Sequence, residues 1–246
     1  MIRGLYTSAL GLSVLTKEQE ITTNNLANSQ TAGYKQDVLV AEAFPEMLFH
    51  RLRDPLEAGQ EPPFVGQAPL GVRINSVYTD VSIGVQRQVE NPLSFAVREG
   101  YFTVQTPRGE RYTRKGDFSL DSEGRLVSGE GYPVLGEQGE IFLPQGSVEV
   151  DAQGRLYSEG VEIDRLRIVN PGTTWEKEAA SLFRGENPQR VEEPQVRQGV
   201  IEESNVDPLR AMVDLITTLR AYEANQKVIQ AIDTTLDKAV NEVGRL

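Results

Sequence analysis

Cysteine is absent from this 246-residue chain, and histidine and tryptophan each occur once. Without thiols there is no disulfide, no thiolate metal site and no cysteine nucleophile, so stability has to come from packing. With His50 the only imidazole, a Ser-His-Asp triad has a single place to be built, and a solvated or half-buried helical histidine is the plainer reading of that position. No run of about 18 apolar residues is present to cross a bilayer. Residues Met1-Ile2-Arg3-Gly4-Leu5-Tyr6-Thr7 lack the basic stretch, apolar run and cleavage site of a secretory signal. The expectation is a soluble protein made in the cytoplasm, with export by a route that reads no cleavable signal left open. Basic residues are also in short supply, 25 against 36 acidic ones for a net charge of −11, which opposes binding to nucleic acid. The HExxH, P-loop and GxGxxG patterns are missing, and Gly129 and Gly131 read as turn glycines. A carboxylate pair for glycoside hydrolysis stays open among so many acids, although they lie beside turns and on alternate strand positions, as on a solvated sheet face. Asp121 with Glu123, or Asp151, offers too few oxygens for calcium, which takes roughly six to eight. No cofactor, metal or small-molecule substrate is expected.

What remains is a chain with 39% hydrophobic residues, enough for a core, and charge spread unevenly. Residues 1–40 carry no net charge and residues 206–246 carry −1, leaving −10 in the middle. Nearly neutral ends suit packing against copies of themselves. From Pro208 to Val243 there is no interior proline or glycine, and a 3-4 spacing runs through Met212, Leu215, Leu219, Tyr222, Gln226, Ile229, Asp233, Leu236, Val240 and Val243. This predicts a helix about 50 Å long, capped by Asp207 before Pro208 and stopped at Gly244. Ile2, Leu5, Ala9 and Leu12 give a shorter version at the other end, diluted by small residues and needing a partner to persist. Asn28, Ser29, Thr31 and Gly33 break it.

Residues 41–53 read as a short amphipathic helix with Pro45 in its first turn. Asp54 to Gly71, with four prolines and three glycines, reads as a linker or loop. From Gly71 to about Ile201, short alternating runs between glycine-bearing turns predict antiparallel β structure. Within it, Asp121-Ser-Glu-Gly-Arg-Leu-Val-Ser128 recurs as Asp151-Ala-Gln-Gly-Arg-Leu-Tyr-Ser158, a hairpin signature used twice rather than a duplication. The fold class expected is α+β: N- and C-terminal helices pairing in a coiled-coil-like helical domain, with a central antiparallel β-rich domain. The boundaries are 1–40 for the first helix and its closing motif, 41–70 for the short helix and linker, 71–201 for the β domain, and 202–246 for the long helix.

Three stretches resemble one family. Asn24-Asn25-Leu26-Ala27-Asn28-Ser29-Gln30-Thr31-Ala32-Gly33-Tyr34-Lys35 is similar to the motif that closes the N-terminal helix of flagellar basal-body rod and hook proteins, the axial subunits of the bacterial flagellum. Gly100-Tyr101-Phe102-Thr103-Val104 and Tyr112-Thr113-Arg114-Lys115-Gly116-Asp117-Phe118 resemble its central core, and Asn91-Pro92-Leu93 precedes them with Ser94 where the family usually carries aspartate. Gly199-Val-Ile-Glu-Glu-Ser-Asn-Val-Asp207 leads into the long helix with Arg220-Ala-Tyr-Glu-Ala-Asn-Gln-Lys227, as in the same family. Ala43-Phe44-Pro45-Glu46-Met47-Leu48 and Glu223-Ala-Asn-Gln-Lys-Val-Ile-Gln230 look most like rod proteins of Gram-positive bacteria.

The resemblance implies a structural subunit, not an enzyme, with no cofactor. It implies export by the flagellar type III apparatus, largely unfolded and without a cleavable signal, and helical polymerisation in the basal body with copies of itself and other rod and hook proteins. The terminal helices would then form the inner tube of an axial drive shaft and export channel, in the proximal or distal rod. Candidate subunit-interface residues are Ile2, Leu5, Ala9, Leu12, Asn24, Asn25, Leu26, Asn28, Met212, Leu215, Leu219, Tyr222, Ile229, Leu236 and Val240. Candidate turn and structural residues are Gly33, Tyr34, Gly100, Phe102, Tyr112, Gly116 and Phe118. The alternatives are a hook or other axial protein, a cell-wall hydrolase or scaffold on a rod-like domain, and a closed trimeric coiled-coil adhesin.

Overall fold

A computed structural model describes residues 2–50, 64–144, 146–170, 172 and 175–243. The chain forms two compact units: Met1–Leu26, Asp37–Tyr78 and Pro208–Leu246 make the first, Ala27–Gln36 and Thr79–Asp207 the second. The architecture is α+β, with a helix near each end and antiparallel strands between.

The first unit begins with α1 (Ile2–Ala27), followed by β1 (Asp37–Ala43), β2 (Glu46–His50), β3 (Phe64–Pro69) and β4 (Val72–Thr79). β1 pairs with β4, and β2 pairs antiparallel with β3 from Glu46↔Pro69 to His50↔Phe64. The Phe44 N–H donates to Gly71 O at 2.9 Å between the two pairs, so this part of the chain is a two-stranded ribbon. The helix expected over 41–53 is therefore not there: residues 41–43 and 46–50 are strand, and 51–53 lie outside the described residues. Pairing with a strand beyond the Pro/Gly-rich stretch gives these amides a ladder, which overrides a weak amphipathic signal interrupted by Pro45. The Pro/Gly-rich stretch from Asp54 to Gly71, a linker or loop by its composition, has Phe64–Pro69 near its end as a ladder strand.

Among the described residues the second unit holds fifteen short strands: β5 (Gln86–Gln88), β6 (Phe95–Ala96), β7 (Tyr101–Thr106), β8 (Gly109–Thr113), β9 (Phe118–Leu120), β10 (Leu126–Ser128), β11 (Val148–Val150), β12 (Arg155–Ser158), β13 (Val161–Arg165), β14 (Ile168–Asn170), β15 (Trp175–Lys177), β16 (Phe183–Gly185), β17 (Gln189–Arg190), β18 (Arg197–Gln198) and β19 (Val200–Glu202). Six form a sheet in the order β15-β16-β8-β7-β14-β17, and β11-β12-β13 form a second. β7 alternates between two cores. Phe102 and Val104 join Phe95, Phe118, Leu126, Ile141, Leu156 and Ile168, with Phe102 edge-on to Phe118 at 5.1 Å; Tyr101 joins Tyr112, Val169, Phe183 and Trp175. Full burial of each such side chain stabilises by about 1.5–3 kcal/mol. Val81, Ile83 and Val85, expected in a strand, lie in an extended segment outside any ladder and stay exposed.

The echoed sequences fold alike. Asp121 Oδ1 accepts from the N–H groups of Glu123 and Arg125, both at 2.8 Å, while its Oδ2 meets Arg125 Nε at 2.7 Å. Asp151 repeats this with Gln153, Arg155 and Arg155 Nε at 3.0, 2.9 and 2.8 Å. Gly124 and Gly154 take φ of +80° and +82°, which only glycine adopts at no steric cost.

The chain returns to the first unit in α2 (Pro208–Lys238), extended by a wider turn over Ala239–Val243. Gly4 and Gly11 of α1 face it: a Cβ there would stand 3.2 Å from Ile232 Cδ1 and 2.9 Å from Asn225 Nδ2. Seven residues forward on α1 thus match seven back on α2, an antiparallel approach. The less exposed positions of α2 are Ala211, Leu215, Thr218, Tyr222, Asn225, Ile229, Ile232, Leu236 and Ala239, a 3-4 repeat. It shares Leu215, Tyr222, Ile229 and Leu236 with the seam read from sequence, but it runs one residue earlier at the other positions. Met212, Leu219 and Val240 consequently point outward.

Candidate functional site

The chain enters the second unit through Thr31-Ala32-Gly33-Tyr34-Lys35 and leaves through β19, and the two passages are bound together in its interior. Gly33 has φ +67°, and a Cβ there would lie 2.5 Å from both Arg114 C and Lys115 N, so only glycine lets this turn seat on the strand end. Its N–H donates to Glu202 O at 2.7 Å. The turn puts Lys35 at 0% exposure, where Nζ donates to the Glu202 carboxylate and, at 2.6 Å, to Ser82 O. Glu202, 1% exposed, also accepts from Gly84 N–H at 3.0 Å and from Arg114 Nη1 at 3.2 Å. Arg114 Nη1 reaches Val97 O at 2.8 Å, and its Cζ lies 4.9 Å from the Tyr101 ring centroid.

Two cations and one carboxylate are thus buried together, held by hydrogen bonds that replace water. Burial pulls the Lys35 amine below its ordinary value, against the pull of Glu202 the other way. Burial raises the Tyr101 phenol. Beside this cluster, Asn205 Oδ1 accepts from Gln36 N–H at 2.8 Å, its Nδ2 donates to Asp80 O at 2.9 Å, and Asp80 N–H donates to Gln36 O at 2.8 Å. The side chain of Asn205 therefore ties the three segments by which the chain enters and leaves this unit. The arrangement is a clasp, with no nucleophile–base pair in it.

The predicted turn residues Gly33, Tyr34, Gly100, Phe102, Tyr112, Gly116 and Phe118 are all buried here. Lys177 Nζ sits 3.9 Å from the Tyr34 ring centroid and donates to Lys35 O at 2.7 Å. At Gly116 a Cβ would stand 1.7 Å from Phe95 O, the close strand approach that requires glycine. Of the candidate interface residues, Leu5, Leu12, Leu26, Asn28, Leu215, Tyr222, Ile229 and Leu236 are half-buried, and Ala9, Asn24, Met212, Leu219 and Val240 are exposed. The side chain of Ile2, like that of His50, lies outside the described residues. Asn25 is buried within the first unit, its amide donating to Asp37 O at 2.8 Å and accepting from Asp37 N–H at 3.0 Å. Lys35, Arg114 and Glu202 were not singled out from sequence; each is one charge inside one of the three motifs, and nothing local marks it as buried. Trp175, half-buried, packs on Phe183 and Tyr101 at 5.0 and 5.9 Å.

Comparison with known proteins coincides with this geometry. A family model described as flagella basal body rod protein matches residues 5–35, one for the flagellar hook protein FlgE/F/G D1 domain matches 98–158, and one for the flagellar basal body rod FlgEFG protein C-terminal matches 197–242. The flagellar basal-body rod protein FlgG of Caulobacter vibrioides is 30% identical over 266 aligned residues, covering 96% of this chain and 97% of that one. The chain belongs to the flagellar basal-body rod protein family. The rod protein FlgF of Caulobacter vibrioides and the flagellar hook-basal body complex protein FlhO of Bacillus subtilis are each 29% identical, end to end in both chains. Each of the three matched segments of this rod-family chain contributes one member of the clasp: Lys35, Arg114 and Glu202.

Proposed function

We propose that this chain is a structural subunit of the flagellar basal-body rod, acting by assembly rather than catalysis and without a cofactor. It polymerises helically through its terminal helices, which pair in a coiled-coil-like manner within the subunit and pack against those of neighbouring copies and other axial flagellar proteins. The observation that carries the reading is the second apolar face of α2. While Leu215, Tyr222, Ile229, Ile232 and Leu236 are partly covered by their own chain, Leu209, Met212, Val213, Ile216 and Leu219 are exposed. An apolar stripe of this kind on a long helix marks an interaction surface. The clasp supports the reading from the other side, since it fixes where the chain passes in and out of the β unit without help from a partner. The chain reaches the basal body through the flagellar export apparatus in a largely unfolded state. Its cysteine-free composition is suited to this, because refolding outside needs no disulfide.

The test is Val213→Lys with Ile216→Lys, followed by sedimentation of assembled material and a motility assay. Both side chains are exposed in the single chain, so the variant folds and remains soluble while assembly and swimming are lost. Normal assembly of the doubly charged variant would remove the basis of the proposal. The match of the central segment to a hook-protein domain keeps a hook subunit as the second reading. Labelling of isolated basal bodies separates the two by whether the chain lies in the rod or beyond it.

A further inference from the structure

The last segment of the second unit holds its parts together. Val196 enters the main core and Ile201 is buried. β18 pairs with β6 and β19 with β5, and among the described residues neither β5 nor β6 has another ladder partner. Gln198 reaches a third strand, β11: its Oε1 accepts from Val150 N–H at 3.1 Å and its Nε2 donates to Val148 O at 2.6 Å. Glu202 then supplies the carboxylate shared by Lys35 and Arg114, and Asn205 joins Gln36 to Asp80. The first segment is tied in by the same residues, through the Gly33 N–H on Glu202 O and the Lys35 amine on its carboxylate.

Each of these two segments is incomplete without the other, although Lys35 and Glu202 are 167 residues apart. If residues 196–205 leave, the Lys35 and Arg114 cations lose the carboxylate they share inside the unit, and a buried charge without its partner is strongly destabilising. If residues 31–36 leave, Glu202 loses the Lys35 amine and the Gly33 N–H, and the fully buried Tyr34 goes with them. We propose that the clasp is a latch on the whole second unit, which stays folded only while residues 31–36 and 196–205 are both in place. Drawing either end of the chain into a channel opens the unit, and it closes again only when both segments have emerged. With the N-terminus leading, residues 206–246 alone have yet to pass at that point; with the C-terminus leading, residues 1–30 alone. This use of the latch rests on export in an unfolded state as proposed above, and it names the contact that unfolding must break.

Native-state hydrogen exchange of the full chain in low urea tests the coupling. The latch amides are Gly33, Val89, Gly199 and Glu203, which donate to Glu202 O, Gly199 O, Ser94 O and Val85 O; the core amides are Thr103, Leu126 and Leu135, which donate to Arg167 O, Ile141 O and Thr103 O. Both sets are expected to open in one step, with protection factors within about tenfold of each other and the same urea dependence. Latch amides that exchange through a smaller opening while the core set stays closed would overturn the proposal. In Glu202→Leu the core set is expected to lose protection about a hundredfold or more, up to complete unfolding, together with the latch set. A loss confined to residues around Glu202 would overturn it as well. The measurement is made on the free chain, so a chain that shows the coupling yet fails to assemble would count against the rod reading and leave the latch standing.

Discussion

Replacing Glu202 by leucine, with similar volume and no charge, tests the clasp most severely. The carboxylate accepts from Lys35 Nζ, Gly84 N–H and Arg114 Nη1, so its loss leaves two buried cations and a buried amide without their acceptor. Removing one side of a buried ion pair costs about 3–5 kcal/mol, and this carboxylate serves two cations, so the upper end applies. Lys35→Met is milder, because Glu202 keeps Arg114 and the Gly84 amide; losing one charge-assisted hydrogen bond costs about 1.5–3 kcal/mol, offset by no longer burying the amine. If the groups act as a unit, the double variant Lys35→Met/Glu202→Leu is less destabilised than the sum of the singles by about 1–3 kcal/mol. Urea unfolding followed by the fluorescence of Trp175 reads this directly, since the only tryptophan of the chain lies in the second unit. Single costs below about 1 kcal/mol, or a double variant additive within about 0.5 kcal/mol, would refute the argument that these three charges stabilise one another.

Gly33→Ala meets backbone at 2.5 Å on a positive φ and should cost more than about 2 kcal/mol in the same urea assay; an unchanged midpoint would contradict the seating of the turn. Asp121 is held below the ordinary carboxylate range by hydrogen bonds from Arg125, and at Asp151 burial pushes upward but the Arg155 amide and guanidinium outweigh it. A depressed folded-state pKa gives stability that is full above the unfolded value of about 3.8 and is lost as pH falls below it, so Asp121→Asn/Asp151→Asn should flatten the acid side of a stability–pH curve. Curves that stay parallel below pH 4 would count against it. Gly116→Ala, whose Cβ would stand 1.7 Å from Phe95 O, should abolish the cooperative transition of the second unit in thermal melts, and a variant that melts like the parent would show that the strand approach is not tight.

How much the sequence disclosed depends on the distance over which each interaction acts. The cap at Asp207 and Pro208 and the unbroken run after it are local, and α2 follows them. The paired Asp-x-x-Gly turns are also local, and their geometry is as their spacing suggests. The ribbon of β1–β4 is not: residues 41–43 and 46–50 become strand because β4 and β3 reach them, and no helical periodicity in one segment reports that. The side of α2 that is covered depends on Gly4 and Gly11, whose small size admits Ile232 and Asn225, so a seam read from a 3-4 spacing started at Met212 runs one residue off at every second position. Lys35 and Glu202 are 167 residues apart, and the motifs showed only that each stretch was specific, not that each lent one charge to a single buried cluster.

The central claim is that α2 of the free chain carries an apolar face reserved for other subunits. Amide hydrogen exchange on the soluble full-length chain, repeated on assembled material, tests it most directly. The account predicts that residues 208–238 exchange fast in the free chain and become strongly protected on assembly, while the strands of the second unit are protected alike in both states. Equal protection of α2 before and after assembly would show that its faces are already satisfied within one chain, and would contradict the account.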